Sequence, residues 1–362
     1  MTSSKCVLNI NLNNILMNYR SIGNICDGSK IGAVVKANCY GLGIHKIATS
    51  LHHDGCKDFF VANCEEGMIL RQILTENVNI YVLNGVFADE LDFFKEFNLI
   101  PVLNYLEQIY IWHGFAIKLG TKLACIIHID TGMHRLGMVE KEFDIFTAVG
   151  FPLLDIRYIM SHLASSEDPD NKFNEAQLEK FTRMTGKLPT IKKSLANSGS
   201  IFLGKNYHFD LVRPGAALYG INSTVLSAST IKNSIGLFAP IIQIHELLPG
   251  ESVGYYSQYT NNDTKSCLIA TIPIGYADGL FKILSSKAVT YVNGCKAPIL
   301  GLISMDLTVI DVSLVPSEYL YIGQKVEIIG HNSNLGTIAK LALTNEYEIL
   351  TRLGQRFKRI YI

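Results

Sequence analysis

The chain has 362 residues, 48% of them hydrophobic and 18% charged, a length and composition that suit two domains with sizeable cores. Lys+Arg and Asp+Glu both number 32, so no net field draws nucleic acid or an anionic membrane surface. The eight cysteines are scattered singly with no C-x-x-C pair, which argues against a zinc ribbon or a disulfide framework and suits a reducing cytosol. The N-terminus turns polar before a signal-peptide core can build up, and no apolar run approaches the ~20 residues of a membrane helix. The expectation is a soluble, cytoplasmic protein without nucleic-acid or membrane partners.

Residues 6–12 alternate like a strand, and 13–26 carry helical spacing. From residue 31 a regular rhythm sets in. Strand candidates span 31–38, 58–64, 79–85, 100–104, 122–130, 155–162, 191–198 and 209–215. Helical stretches lie between them at 45–53, 65–74, 89–97, 106–119, 141–149, 174–188 and 200–205. That alternation implies right-handed β-α-β units and a parallel sheet. Eight such strands fit a closed (β/α)8 barrel of TIM type better than an open doubly wound sheet. After residue 220 come short β-rich runs at 237–245, 266–273, 287–292, 297–303, 307–312 and 325–329. Turn pairs such as Pro249-Gly250 and Asn293-Gly294 separate them, and only 337–343 looks helical. This predicts a second, mostly antiparallel β domain. The boundary falls near residue 230, dividing the chain into 1–230 and 231–362. The strand at 6–12 could join either domain.

The first barrel strand ends in Lys36, an ammonium closing an apolar run, which is expensive unless neutralised, paired or covalently used. A barrel places reactive groups at the C-terminal ends of its strands. Arg135 lies just past the fifth strand, in Asp130-Thr-Gly-Met-His-Arg-Leu-Gly137, and His162 ends the sixth. Asn197-Ser198-Gly199-Ser200 follows the seventh and opens a helix whose amides and hydroxyls could hold a phosphate. Arg213-Pro214-Gly215 follows the eighth. Each piece alone has an ordinary reading: a snorkelling lysine, a structural histidine, a helix cap, a turn. Their convergence on one rim puts a lysine opposite a phosphate cradle. That arrangement points to a Schiff base with pyridoxal phosphate. Desolvation and cationic neighbours would lower the lysine pKa and leave the amine nucleophilic.

The stretch Ala33-Val-Val-Lys-Ala-Asn-Cys-Tyr-Gly-Leu-Gly43 resembles the cofactor-lysine signature of the alanine racemases. The arginine motif ending at Gly137, Ala196-Asn-Ser198, Val212-Arg-Pro-Gly-Ala-Ala-Leu-Tyr-Gly220, Glu251-Ser-Val-Gly-Tyr255, Ile274-Gly-Tyr-Ala-Asp-Gly279 and Ile303-Ser-Met-Asp306 follow that family in order and spacing. The likeness runs through Tyr347-Glu-Ile-Leu350. It implies a homodimer whose active sites are shared between subunits and interconvert L- and D-alanine, supplying D-alanine for peptidoglycan. It implies Lys36 as the cofactor lysine and one of two acid/base groups, with Tyr255 of the partner subunit as the other. Inversion needs two such groups, because a single base would tend to return the proton to the side it came from. A phenol of ordinary pKa near 10 must be shifted or tightly coupled to act as a base.

The resemblance further implies that Arg213 meets the cofactor's ring nitrogen, supported by His162, and that Tyr40, Ser198 and the backbone at Gly215 meet its phosphate. Arg135 resembles the group that holds the substrate carboxylate and the cofactor phenolate. Tyr276 and Met305, beside Asp306, resemble partner-subunit residues at the substrate entrance and pocket. No metal ligand is implied. Four positions depart from the family pattern. His128 stands where many members carry a lysine that becomes carbamylated and orients the arginine, so Arg135 needs another positioning group, a bound anion being one candidate. Leu42 replaces a common histidine, Leu302 a common arginine, and Gln355 a phosphate-binding tyrosine. Other readings are a broader racemase acting on serine and a non-catalytic pyridoxal-phosphate-binding protein, which would need no second acid/base group. A related decarboxylase would carry a cysteine motif in its β domain, and neither Cys267 nor Cys295 sits in one.

Overall fold

The computed structural model of the protein describes residues 5–74 and 77–362; the first four residues of the expected N-terminal domain lie outside these. The chain divides into two compact units: Asn14–Lys232, and the residues up to Asn13 together with Asn233–Ile362. The first strand, β1 (Val7–Ile10), leads into the helix Leu12–Ile25. Among the described residues no helix is long and apolar enough to cross a membrane.

In the first unit, β2 (Lys30–Val34), β3 (Asp58–Val61), β4 (Asn79–Val82), β5 (Ile100–Leu103), β6 (Leu123–His128), β7 (Leu154–Met160), β8 (Lys193–Ser194) and β9 (Leu211–Val212) form one parallel sheet. β2 through β8 pair in chain order, and β9 returns to pair with β2. Asp210 N donates to Lys193 O at 3.0 Å and Arg213 N to Ala196 O at 2.9 Å, which joins the last two strand ends and completes the (β/α)8 barrel. All four residues of β3 and all four of β5 are buried, as expected of strands covered on both faces. The helices around them are amphipathic: Ile44–His53 buries Ile44, Ile47, Ala48 and Leu51, three to four residues apart. β8 and β9 are shorter than their apolar runs predict. Past β8 the chain turns at Asn197, whose carbonyl oxygen and side-chain Oδ1 take bonds from residues 200 and 201. Past β9, Pro214 has no N–H to donate.

The second unit is built on β10 (Ile235–Pro240), β11 (Gln243–Leu247), β14 (Cys267–Ile272), β15 (Val289–Val292), β16 (Cys295–Leu300), β17 (Thr308–Asp311), β18 (Lys325–Ile329) and β19 (Lys358–Tyr361), with β12 (Ser252–Val253) and β13 (Tyr259–Thr260) as a separate hairpin. The large sheet runs β11-β14-β17-β16-β15-β18-β10-β1-β19, antiparallel except for β1 with β19. The run expected at 237–245 is therefore two strands that part after Pro240 and sit far apart in the sheet order. The helix Glu346–Thr351, capped by Asn345 Oδ1 accepting from Glu348 N at 3.0 Å, and β19 were not anticipated.

Two loops of this unit touch backbone to backbone. Tyr276 N donates to Ser304 O and Ala277 N to Met305 O, both at 3.0 Å. A Cβ on Gly275 would collide with both of those carbonyls. Gly275→Ala should therefore cost about 2 kcal/mol or more, a steric clash against backbone that no side-chain rotation relieves. Chemical denaturation measures it; an unchanged midpoint would contradict the contact.

Candidate active site

Lys36 follows Val35, whose N–H donates to Phe60 O at 2.8 Å. The expected strand to residue 38 stops here. Ala37, Asn38 and Cys39 take left-handed backbone, with φ of 50°, 54° and 53°, and Tyr40 continues it at 55°. For residues with a side chain this costs on the order of 1–2 kcal/mol each, and such strain persists only where surroundings enforce it. They do. Glu66 Oε1 accepts from Ala37 N at 2.6 Å and Oε2 from Ala62 N at 2.8 Å. Asn38 Oδ1 accepts from Ile44 N at 2.8 Å, and the Tyr219 hydroxyl donates to Val34 O at 2.9 Å. Lys36 itself is half-buried. Desolvation, then the Arg135 charge, lower its pKa, against an upward pull from Glu66.

Val34 N donates to Pro214 O at 2.9 Å, so the lysine strand adjoins the Arg213-Pro214-Gly215 turn. There the Ser198 hydroxyl accepts from Gly215 N at 2.9 Å and Ala217 N at 3.2 Å. With both lone pairs used, its O–H is left to donate. A Cβ on Gly215 would collide with the Tyr40 hydroxyl, so the two hydroxyls and the bare backbone meet at one place. Tyr40 in turn packs on Tyr219 with ring centroids 4.8 Å apart. A close-packed cradle that presents the Ser198 O–H and leaves room only for glycine at residue 215 suits a phosphate monoester, and a half-buried lysine on the adjoining strand suits that ester's carbonyl. The residues present fit pyridoxal phosphate.

Arg213 is buried, and its guanidinium donates to Ser194 Oγ, to Ser161 O at 2.6 Å and to Leu195 O at 3.3 Å. Burial pushes its pKa down to about 9, which leaves it charged at neutral pH. His162, on the residue after Ser161, is held well below the ordinary imidazole range by desolvation and by the charges of Arg213 and Arg135. Its Nε2 faces Asn197 Nδ2 at 3.5 Å. Arg213 thus donates to Ser194 and two carbonyls, with His162 in its field. Arg135 is exposed and acts electrostatically on Lys36, His128 and His162.

His128 ends β6, and its Nδ1 lies 2.7 Å from Asn104 Oδ1. Asn104 Nδ2 donates to Leu83 O at 3.1 Å and Val102 O at 2.8 Å. Carbonyls cannot donate, so the amide has one orientation and its oxygen must face the imidazole. Nδ1 therefore carries the proton, and Nε2 is a bare acceptor. Desolvation, then Arg213, push the His128 pKa down to about 3.

The remaining candidates lie in the second unit. Tyr255, Tyr276 and Met305 are 66%, 43% and 54% exposed, uncovered by their own unit. Their loops adjoin: a Cβ on Gly301 would sit 3.0 Å from Val253 O, and the Tyr276 loop is bonded to Ser304 and Met305 as above. Arg356 bridges the base of this group, Nε to Asp278 Oδ1 and Nη1 to Asp306 Oδ1, each at 2.7 Å. Sequence reasoning missed Arg356, Glu66, Asn104, Ser161, Ser194 and Gln177. Gln177 joins two strand-end loops, donating to His162 O at 3.0 Å and Thr131 Oγ1 at 3.1 Å. Only Glu66 had a local signal, as the fourth residue of the cap pattern Asn63-Cys-Glu-Glu66.

Comparison with known proteins agrees over the whole chain. The family model for the alanine racemase N-terminal domain matches residues 10–223, and that for the C-terminal domain matches 235–361. The alanine racemase of Rickettsia canadensis (strain McKiel) is 45% identical over 360 residues, covering 99% of both chains. The crystal structure of alanine racemase from Bartonella henselae, with covalently bound pyridoxal phosphate, superposes with a TM-score of 0.95 at 40% identity over the full length of both. The biosynthetic alanine racemase of Pseudomonas aeruginosa gives 0.90 at 29% identity, covering 99% of each. By two matched domains, full-length identity and shared fold, the chain belongs to the alanine racemase family.

Proposed function

We propose that the chain is a pyridoxal-phosphate-dependent alanine racemase that interconverts L- and D-alanine by a two-base mechanism. The observation that carries this reading is Lys36, half-buried at a strand end beside the Ser198–Gly215–Tyr40 cradle. When bound, pyridoxal phosphate supplies an electron-withdrawing ring that acidifies the substrate Cα–H. Lys36 would hold its carbonyl carbon, Tyr40, Ser198 and the Gly215 backbone its phosphate, and Arg213, with His162 nearby, its ring nitrogen. A charged guanidinium offers donors only, so that nitrogen keeps no proton of its own. Weaker electron withdrawal then disfavours side reactions such as transamination.

The Lys36 amine moves a proton at one face of Cα, and Tyr255 of the partner subunit moves one at the other. Arg135 holds the substrate carboxylate, while Tyr276 and Met305 of the partner subunit restrict the entrance and pocket. The neutral Nε2 of His128 gives the Arg135 side of the pocket an uncharged acceptor. The exposure of Tyr255 supports a homodimer with shared sites. We place the enzyme in the cytoplasm, supplying D-alanine for peptidoglycan.

Lys36→Ala is expected to lose both the visible absorbance of bound cofactor and D-alanine formation from L-alanine; retention of either sinks the assignment. Tyr255→Phe should keep the absorbance and lower kcat by roughly 10²–10⁴-fold, the range for a positioned acid/base group. Racemisation at the wild-type rate would remove the second base.

His128 offers a pH test. Its folded pKa, about 3, lies below the ordinary 6.5, so the unfolded chain binds a proton the folded one refuses. The contribution of His128 to stability is present above pH 6.5 and is lost as pH falls from there toward 3. In ¹⁵N-histidine NMR spectra His128 should remain the neutral Nδ1–H tautomer from pH 8 down to 5. A midpoint near 6.5, or a proton on Nε2, would contradict the Asn104 assignment.

A further inference from the structure

Glu66 lies in none of the motifs, yet its carboxylate meets the first residue of the left-handed run. It is the third residue of the helix Cys64–Ile73, whose N-cap Asn63 accepts from Glu66 N at 3.0 Å. In an ordinary capping box the glutamate at this position would turn back to the cap residue's own N–H. Here the carboxylate is diverted. One oxygen takes the N–H of Ala37, at 2.6 Å, and the other that of Ala62, at 2.8 Å. Ala37 is the residue after Lys36 and the first of the left-handed run; Ala62 follows β3, which pairs with β2.

We propose that Glu66 is a positioning residue for Lys36: its carboxylate cross-links the ends of two barrel strands and anchors the left-handed turn that aims the lysine. Two features of the geometry carry this. Both oxygens are engaged, each by a backbone amide, so neither shortening nor neutralising the side chain can preserve the pair. The bond to Ala37 also falls where the backbone departs from the sheet, so its loss releases the strained segment at its root. The same carboxylate acts on the Lys36 amine from one side, while Arg135 acts on it with opposite sign and His162 lies in its field. The inference rests on Lys36 as the cofactor lysine.

The test uses the full-length holoenzyme with Glu66→Gln and Glu66→Asp, beside Lys36→Ala. Glutamine keeps one acceptor oxygen for two amides. Aspartate keeps the charge but is one methylene short of spanning both. Amide exchange at Ala37 or Ala62 should rise on the order of tenfold or more in both variants, the worth of one lost charge-assisted bond, with the other barrel strands unchanged. Both variants should lower kcat more than they raise KM. A further readout separates charge from mere structure. In the cofactor-free chain, acylation of Lys36 should move to lower pH in Glu66→Gln, where the opposing anion is gone, and far less in Glu66→Asp. Unchanged exchange at both alanines overturns the proposal, as does loosening spread over the whole barrel, which would make Glu66 a general fold element. Cofactor absorbance surviving in Lys36→Ala would defeat the lysine assignment instead, and the exchange result at Glu66 stands apart from it.

Discussion

Four consecutive residues with side chains, Ala37 to Tyr40, hold left-handed backbone directly after Lys36, and much of the barrel's polar chemistry serves to keep them there. At on the order of 1–2 kcal/mol each, their strain approaches the whole net stability of an ordinary domain, about 5–15 kcal/mol. No single neighbour offsets that. The Glu66 carboxylate and the Asn38 side chain fix different parts of the segment, the Tyr219 hydroxyl ties down Val34 at the strand end before it, and β3 with the buried end of β2 frames it. The outcome is a lysine set immediately before a backbone segment held by named partners. An amine that must address one face of a carbon gains from such preorganisation, because orientation is settled before substrate arrives.

The same rim gathers positive charge and leaves it largely without carboxylates. Arg213 is satisfied by a hydroxyl and two carbonyls. His128 and His162 are held neutral by burial and by the guanidinium groups. Asp130 belongs to the arginine motif, but its carboxylate folds the loop that bears Arg135: Oδ1 accepts from Gly132 N at 2.9 Å and His134 N at 3.1 Å, and Oδ2 pairs with His134 Nδ1 at 2.9 Å. With Asp130 turned to its own loop and Glu66 held by two backbone amides, the pocket favours anions, which is what a phosphate and a substrate carboxylate require. The histidine in place of a carbamylated lysine fits the same logic. Asn104 fixes its tautomer, so the side of the pocket in the field of Arg135 has an acceptor that brings no charge and asks for no proton.

The barrel was legible because its strands are apolar on both faces and its helices on one, so the period of the sequence changes at every boundary. What resisted reading were features decided by partners distant in the chain. Residues 36–40 have no local signature of left-handed backbone, since only Asn38 tolerates it readily. The parting of β10 from β11 hangs on Pro240 and on which strands wait on either side. Within the site, Lys36, Arg213 and Ser198 stood out because their types are costly or distinctive at strand ends. Glu66, Asn104, Ser161, Ser194 and Gln177 are ordinary polar residues whose importance exists only once the groups they face are known.

The second unit commits comparable resources to three residues it leaves uncovered. Gly254, Tyr256 and Ser257 flank Tyr255 with φ of 71°, 57° and 47°. Arg356 holds the neighbouring loops through Asp278, which is buried, and Asp306, which is not. An exposed ion pair contributes little to stability, so the bridge to Asp306 is better understood as placement of Met305 than as reinforcement of the fold. Strained backbone and tailored bridges around a phenol open to water make sense only if something else completes its surroundings. A tyrosine in bulk solvent exchanges protons with water rather than with one chosen carbon. The acid/base role proposed for Tyr255 therefore cannot be held apart from the proposed dimer, in which a second subunit would cover the phenol and direct its proton to one face.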